Sequence, residues 1–137
     1  MKVFFDTNVY VAEALLGAAA ERMLAATQAA SWRVFISQQV LNEIRSVLID
    51  QLGFSRRLAG LAWRRSARRA QFVEPSASRH AVPSDPQDSP ILRAALSANA
   101  DYLVTNDRHL LALDPVEGLR IISMADYHQL LVQEGLL

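Results

Sequence analysis

The sequence predicts an α/β fold, a three-layer α/β/α sandwich with a central parallel sheet of four or five strands. Two observations support this prediction. Short runs of aliphatic and aromatic residues alternate with helical stretches along the 137 residues, as in chains built from βαβ units. The first run, Val3 to Phe5, has no polar alternation, which is typical of strands buried on both faces of a sheet.

The first elements follow from composition and capping. The opening apolar run predicts a strand at residues 1–5. Thr7 and Asn8 both have side chains that cap helices well, so a short helix is predicted at residues 9–16. A stretch rich in Ala, Leu and Met, all good helix formers, predicts a second helix at residues 18–30.

A second strand and two longer helices are predicted next. The strand covers residues 32–36, and Ser37 after it is a good N-cap for a helix that runs to about residue 52. Gly53 ends this helix, because glycine is the usual residue just beyond a helix C-terminus. An arginine-rich helix is then predicted over residues 55–70.

The second half of the chain continues the alternation. A short strand is predicted at residues 72–74, followed by an extended Ser- and Pro-rich loop at residues 75–86, which we interpret as a surface excursion within the domain. The remaining elements are predicted as a helix at 89–99, a strand at 102–105, a helix at 108–113, a strand at 119–122 and a helix at 124–134.

The composition predicts one domain that spans residues 1–137. A hydrophobic content of 51% is sufficient for a packed core at this length. No apolar run approaches the roughly 20 residues that span a bilayer, and the N-terminus carries no secretory h-region. We therefore expect a soluble, cytoplasmic protein.

The kinds of metal site open to this chain are limited. The chain has no cysteine, which excludes disulfides, thiolate zinc sites, iron–sulfur clusters and cysteine nucleophiles. Its three histidines have no close spacing that would form a zinc site. Any metal would be held mainly by oxygen, which favours Mg2+ or Mn2+ over zinc or copper.

Four acidic residues stand where a strand ends or a helix begins. Asp6 follows the first strand, Glu43 lies in the first turns of the helix after the second strand, Asp88 precedes the helix after the loop, and Asp107 follows the fourth predicted strand. In an open parallel sheet these positions share the carboxyl edge. Because clustered carboxylates repel one another, a divalent cation among them would stabilise the group. The pattern indicates a metal-dependent enzyme.

Each of these acids also has a purely structural explanation. Asp6, Asp88 and Asp107 stand where Asp caps a helix well. Glu43 borders the apolar stripe of its helix, where a glutamate can pair with an arginine. Asp85 is a nearby alternative to Asp88, although its Asp-Pro dipeptide is more typical of a turn. The shared position of the four acids, rather than any one of them, predicts a site.

A family resemblance is carried by four segments in a fixed order. They are FFDTN at 4–8, VLNEI at 40–44, DPQDSPILRAA at 85–95 and ADYLVTNDRHLL at 100–111. Together they resemble the PIN domain, the nuclease fold of VapC-like toxins and of several RNA-processing enzymes. The likeness is strongest to bacterial PIN proteins regarded as toxins of type II toxin–antitoxin pairs, and it covers nearly the whole chain.

The resemblance implies that the four acids form a catalytic and metal-binding quartet, supported by Asn8 and Thr105. Asp6 and Asp88 would be direct ligands of Mg2+ or Mn2+. The other two acids would complete the ligand shell or hold metal-bound water. The chain departs from the family pattern at none of the four positions, so an active enzyme is expected.

The resemblance also implies an activity and partners. Phosphodiester hydrolysis needs a nucleophilic water and neutralisation of a developing anion, and carboxylate-bound metal ions supply both. The implied reaction is endonucleolytic cleavage of single-stranded or structured RNA. The implied partners are the RNA substrate, a cognate antitoxin protein and a second copy of the chain in a homodimer.

The arginine-rich helix is the place to look for a partner. The chain carries 14 basic and 14 acidic residues, yet six arginines lie within residues 56–69. Helical periodicity places Arg57, Arg64 and Arg68 along one row, which we expect to bind RNA phosphates. The same row could be a solvated face, or could contact an acidic antitoxin segment or a second subunit.

Other classes of protein fit the sequence less well. A phosphoacceptor receiver domain needs a lysine after a late strand, and the only lysine is Lys2. A haloacid-dehalogenase-like phosphatase needs a second Asp where this chain has Asn8. Glycine-rich nucleotide-binding motifs are missing. The remaining alternative is a catalytically silent PIN-like module that binds RNA or protein.

Overall fold

The protein forms a three-layer α/β/α sandwich around a five-stranded parallel sheet, and the computed structural model describes residues 1–74 and 89–137. Helices cover both faces of the sheet, and the strand order is β3-β2-β1-β4-β5. The strands are β1 (Lys2–Phe5), β2 (Arg33–Ile36), β3 (Gln71–Phe72), β4 (Tyr102–Val104) and β5 (Arg120–Ile122). The predicted fold class is confirmed.

The helices follow the predicted order with small shifts of their ends. They are α1 (Thr7–Leu16), α2 (Ala18–Ala29), α3 (Gln38–Ser46), α4 (Arg56–Arg69), α5 (Ser89–Ser97), α6 (Arg108–Leu111) and α7 (Met124–Gln133). The segment Val47–Gln51 continues α3 as a π-helical turn. Within residues 1–74 and 89–137, no helix has both the length and the apolarity needed to cross a membrane.

Serine side chains fix the start of several helices. Ser37, Ser55 and Ser123 accept hydrogen bonds from backbone N–H groups in the first turns of α3, α4 and α7. Such caps satisfy donors that have no partner within the helix. The predicted cap at Ser37 is therefore observed, and Ser55 caps the helix that the sequence predicted to start at this residue.

Two predicted boundaries were wrong. The third strand lies at Gln71–Phe72 rather than at 72–74, because Gln71 pairs with Phe35 of β2. The first helix begins at Thr7 rather than at residue 9, because Asp6 is its N-cap. Neither Thr7 nor Asn8 caps this helix, contrary to the prediction.

The central strand β1 sets the position of the carboxyl edge. It pairs in parallel with β2 on one side and β4 on the other, so Phe4 is aligned with both Phe35 and Leu103. The chain first builds outward to β2 and β3 and then returns to the other side of β1 for β4 and β5. The strand order therefore reverses at β1, and ligand crevices form at such points.

Aromatic packing fixes β1 in the core. Phe4 and Phe5 are fully buried, and burying one such side chain contributes roughly 1.5–3 kcal/mol. The ring of Phe5 meets those of Tyr10 and Tyr127 edge-on, with centroids 6.1 and 5.4 Å away. These contacts tie α1 and α7 to the strand whose end carries Asp6.

A buried ion pair joins α1 to α4. The side chain of Glu13 is only 2% exposed, and both of its oxygens accept hydrogen bonds from the guanidinium of Arg69, at 2.5 and 2.7 Å. Arg65 lies 3.5 Å from the same carboxylate. Among the described residues, the Tyr10 hydroxyl beside this pair has no hydrogen-bond partner, and burial raises its pKa. The pair therefore determines which edge of α4 packs against α1.

Removing one partner of this pair should destabilise the fold strongly. We expect Glu13→Ala to lower the free energy of unfolding by about 3 kcal/mol, because it leaves the Arg69 charge buried without a partner. Urea denaturation followed by circular dichroism measures the loss. Arg65→Gln is the control and should cost less than about 1 kcal/mol, since Arg65 is 46% exposed and only assists the pair. A loss below about 1 kcal/mol for Glu13→Ala would contradict the role given to the pair.

Candidate active site

Three of the predicted acids line one cleft at the carboxyl edge of the sheet. Asp6 follows β1, Asp107 follows β4, and Glu43 projects from α3 into a cleft of about 320 Å³. Asn8 lines the same cleft. The strand order accounts for this meeting, because the ends of the neighbouring strands β1 and β4 lie side by side.

Asp6 is held by hydrogen bonds from two different elements. Asp6 is 8% exposed, and its Oδ1 accepts a hydrogen bond from the backbone N of Thr7 at 2.7 Å. Its Oδ2 accepts from the Thr105 hydroxyl at 2.7 Å, and the same hydroxyl oxygen accepts from the backbone N of Asp107 at 3.0 Å. Asp6 is therefore a helix cap and a cleft residue at once, and Thr105 supports it.

The surroundings of Asp6 oppose its charge. Burial raises the pKa of the Asp6 carboxyl above its ordinary value, and the negative charges of Glu43 and Asp107 raise it further. The hydrogen bonds from Thr105 and Thr7 act in the opposite direction without cancelling these effects. A cation in the cleft would favour the ionised carboxylate and relieve this cost.

Glu43 is positioned by two residues that the sequence analysis did not identify. The hydroxyl of Thr7 donates to Oε2 of Glu43 at 2.6 Å, and the side-chain amide of Gln39 donates to Oε1 at 3.0 Å. Gln39 precedes Glu43 by four residues on α3, a spacing that could have indicated the contact. Nothing in the local sequence pairs Thr7 with a residue 36 positions away. Thr7 links Asp6 and Glu43 through its backbone and its side chain.

Asp107 has a structural role that is compatible with a place in the site. Its Oδ1 accepts from the backbone N of His109 at 2.8 Å, which makes Asp107 the N-cap of α6. This cap satisfies a backbone N–H that has no partner within the helix. The capping explanation and the functional explanation therefore both hold for this residue.

The side-chain oxygen of Asn8 is a hydrogen-bond acceptor to which no described residue donates. Among the described residues, Oδ1 of Asn8 is buried and has no hydrogen-bond partner. Leaving such a group unpaired costs roughly 1–3 kcal/mol. A carbonyl oxygen in this state, on a residue that lines the same cleft as three acids, suits a hard divalent cation or a water bound to one.

The oxygen donors of the cleft are of the type that binds Mg2+ or Mn2+, but the described side chains are not close enough together to form a metal site. Within residues 1–74 and 89–137, no three Asp, Glu or His side chains lie close enough together to hold a metal ion. Glu43 is drawn toward Thr7 and Gln39 by its hydrogen bonds. Asp88, the fourth predicted acid, and its neighbour Asp85 lie outside the described residues.

The predicted arginine row does not line this cleft. Arg57, Arg64 and Arg68 are exposed on α4. Among the described residues that line the cleft there is no arginine. Contact between this row and RNA remains a prediction.

The fold and the cleft agree with the results of comparisons with known proteins. Residues 2–109 match the family profile of the PIN domain, and the chain belongs to this family. PIN domains are generally nucleases that use divalent metals. The family membership predicted from the sequence is confirmed.

A solved structure supports the same fold. Over 90% of this chain and 98% of the other, the structure is similar to a chain in the crystal structure of VapBC2 from Rickettsia felis bound to a DNA fragment from their promoter, with a TM-score of 0.65. The two chains are 17% identical, so the likeness shows the fold alone. Among curated proteins, no significant match is found.

Removing the Asp6 charge should stabilise the metal-free protein. Asp6→Asn keeps the shape and a good N-cap and removes the repulsion from Glu43 and Asp107. Because the folded-state pKa of Asp6 is raised, protonation favours the folded protein, and wild-type stability falls as the pH rises through that pKa. In EDTA at pH 7 we expect a melting temperature about 3–5 °C above wild type, for a gain of roughly 1 kcal/mol.

The gain should vanish at low pH. Near pH 3 the wild-type carboxyl is protonated, so the two melting temperatures should converge. Asp126→Asn is the matched control, because Asp126 is exposed on α7 and lies outside the cleft. This control should show no stabilisation at pH 7. If Asp6→Asn melts below wild type at both pH values, burial and the neighbouring carboxylates do not destabilise the ionised Asp6.

Proposed function

We propose that the protein is a metal-dependent endoribonuclease and the toxin of a toxin–antitoxin pair. The observation that carries the proposal is the convergence of Asp6, Glu43 and Asp107 on one cleft at the carboxyl edge of a PIN-domain sheet. Structural needs do not account for this grouping, because burial and mutual repulsion raise the pKa of Asp6. Family membership adds the reaction class, since PIN domains are generally nucleases.

The residues of the cleft divide into ligands and residues that position them. Asp6 and Asp88 would hold Mg2+ or Mn2+ directly, while Glu43 and Asp107 would complete the shell or hold a water. Asn8 would supply an amide oxygen. Bound there, the metal would lower the pKa of a water and neutralise charge on the phosphoryl group.

The threonines in the cleft would keep the carboxylates in place. Thr105 holds Oδ2 of Asp6 and, through its own oxygen, the backbone N of Asp107. Thr7 holds Oδ1 of Asp6 and Oε2 of Glu43. The two bonds to the Asp6 carboxylate, from the Thr105 hydroxyl and the Thr7 backbone N, lower the pKa of Asp6 against the effect of burial. They therefore help to keep Asp6 ionised, as a metal ligand must be.

Backbone affinity for RNA would come from α4. The chain has no net charge, and the acids in the cleft repel phosphates. Arg57, Arg64 and Arg68 are exposed on one helix and could neutralise phosphates on the RNA. We propose that this helix supplies the electrostatic part of substrate binding.

We also propose a protein partner, a cognate antitoxin. The similar solved structure is of VapBC2 bound to a fragment of their promoter DNA, which supports an assembly of this kind. Leu15 and Leu16 of α1 and Leu58 and Leu61 of α4 are 50–78% exposed, as apolar side chains at an interface are before a partner covers them. A second copy of the chain, in a homodimer, is the alternative occupant. We propose that the protein acts in the cytoplasm, where RNA and an antitoxin would be accessible to it.

One observation keeps a second function open. The described acids do not form a cluster that could hold a metal as they stand, as would be expected of a catalytically silent PIN-like module that binds RNA or protein. Metal titration separates the two functions. A nuclease should melt at a higher temperature in saturating Mn2+. At a Mn2+ concentration of 100 times the dissociation constant, its free energy of unfolding should rise by about 2.7 kcal/mol.

Cleavage assays test the proposed site. With labelled single-stranded RNA, wild type should cleave in Mg2+ or Mn2+ and stop in EDTA. Asp6→Asn and Asp88→Asn should lower the rate by at least about 100-fold and abolish the metal-induced rise in melting temperature. Thr105→Val should lose about 10–100-fold, as is usual when a residue that orients a ligand is removed.

The matched control for Asp88 lies three residues away. Asp85→Asn removes the same charge and should retain both cleavage and the metal response if Asp85 only opens a turn. If Asp6→Asn and Asp88→Asn both keep full activity and the metal shift, the proposed site is wrong. RNA binding by wild type without any cleavage would instead identify a silent module.

A further inference from the structure

A second depression lies between α3 and α4 and is basic. This α3–α4 groove has a volume of about 590 Å³ and is lined by Arg45 from α3 and by Arg56 and Arg64 from α4. All three arginines are exposed. The only acid among the described lining residues is Asp50. Three positive charges against one negative charge make the groove attractive to a polyanion.

The groove and the acidic cleft share one wall, helix α3. Gln39 and Glu43 of α3 line the cleft, and Asn42 and Ser46, on a neighbouring row of the same helix, line the groove. A helix with its side chains is about 10 Å across. A polyanion that crosses α3 can therefore lie in the groove and reach the cleft.

The shape of the groove favours access to its arginines. Gly60 lies four residues after Arg56 and four before Arg64 and lines the groove. A Cβ at Gly60 would have no atom within 4 Å, so no described neighbour requires glycine there. Glycine is a poor helix former compared with alanine. Its presence leaves the space between the two arginines open.

Arg45 is held in the groove by an aromatic ring. Its guanidinium lies 5.2 Å from the centroid of Trp63, a cation–π contact. This contact restricts the side chain without neutralising its charge. An arginine fixed in this way loses less conformational freedom when it binds a phosphate.

The other arginines of α4 are placed differently. Arg65 and Arg69 lie on the opposite edge of the helix, where they are engaged with Glu13 of α1. Arg57 and Arg68 are exposed but do not line the groove. The arginines of α4 therefore form three groups. One pair contacts Glu13, a second pair is exposed outside the groove, and Arg56 and Arg64 line the groove.

We propose that the α3–α4 groove binds the phosphodiester backbone of the single-stranded RNA substrate to one side of the bond that is cleaved. The inference rests on the proposed function, because the cleft defines where the RNA must pass. The strand would cross α3 between groove and cleft. A duplex is too stiff to bend over a single helix, since duplex DNA persists over about 50 nm. The groove thereby selects single strands.

Salt-dependent binding tests this path. The probe is a fluorescein-labelled oligouridylate of about 20 nucleotides, measured by anisotropy in EDTA so that no cleavage occurs. Arg56→Gln/Arg64→Gln should weaken binding at low salt and reduce the slope of log affinity against log salt by about 1.4, at about 0.7 per phosphate contact of a single strand. Arg22→Gln/Arg33→Gln removes the same charge from exposed positions outside the groove and should leave the slope unchanged.

A neutral block tests the groove with all of its arginines present. Gly60→Gln places a long uncharged side chain between Arg56 and Arg64, and we expect it to weaken oligouridylate binding about tenfold. Gly60→Ala is the matched control. It should raise the melting temperature, because alanine favours the helix, and leave RNA binding unchanged. Circular dichroism melts confirm that each variant is folded.

Three outcomes would contradict the proposal that the groove binds RNA. Equal slopes for the two double variants would assign RNA binding to a diffuse basic face. Unchanged binding by Gly60→Gln would place the RNA elsewhere. Loss of binding to a labelled oligoglutamate by Arg56→Gln/Arg64→Gln, with RNA binding intact, would assign the groove to an acidic protein segment.

The fate of the hydrolase proposal can be read separately. If the wild type fails to cleave RNA while the two double variants differ in the salt dependence of RNA binding as expected, the groove binds RNA and the proposed enzymatic function is wrong. If wild type cleaves RNA while the two double variants bind it equally, the enzymatic function stands and the groove is wrong.

Discussion

The Asp6 carboxylate accepts hydrogen bonds from α1 through the backbone of Thr7 and from the end of β4 through the hydroxyl of Thr105. The backbone N of Asp6 also donates to the carbonyl of Val104 at 3.0 Å. One residue therefore ends the central strand, starts the first helix and fixes the neighbouring strand. The position of the other cleft residues depends on this junction, because Thr7 also holds Glu43 and Thr105 also holds Asp107.

The same junction has an electrostatic cost. Asp6 is buried near two other carboxylates, and its pKa is raised as a result. A protein selected only for stability would gain by an uncharged residue here, since asparagine caps a helix equally well. The proposed metal explains why a carboxylate is useful at this position. Strain of this kind is concentrated at functional sites.

A second buried charge organises the basic half of the molecule. Glu13 engages Arg69 and Arg65 and so turns one edge of α4 toward α1. The opposite edge, with Arg56 and Arg64, is left to form the groove with α3. The acidic cleft and the basic groove then lie on the two sides of α3. The sum of charges in the sequence is zero, and the separation arises only from how the helices pack.

The fold class and the order of elements were predictable from the sequence, because alternation of apolar strands with helical periodicity is a local property of the chain. The sequence also predicted that Asp6, Glu43, Asp88 and Asp107 would share one edge, since parallel strands bring their carboxyl ends together. Three of these acids line one cleft, and Asp88 lies outside the described residues. The family resemblance rested on the same short segments and needed no tertiary information.

The roles of these residues depend on contacts between distant parts of the chain. Asp, Thr and Asn all cap helices well, so the local sequence could not show that Asp6 rather than Thr7 or Asn8 begins α1. Thr105, 99 residues away, settles the matter by binding the Asp6 carboxylate. Helical periodicity likewise gave the rows of arginines, but not their neighbours. Which row meets α1 and which meets α3 depends on contacts between helices distant in sequence, and no local pattern encodes those contacts.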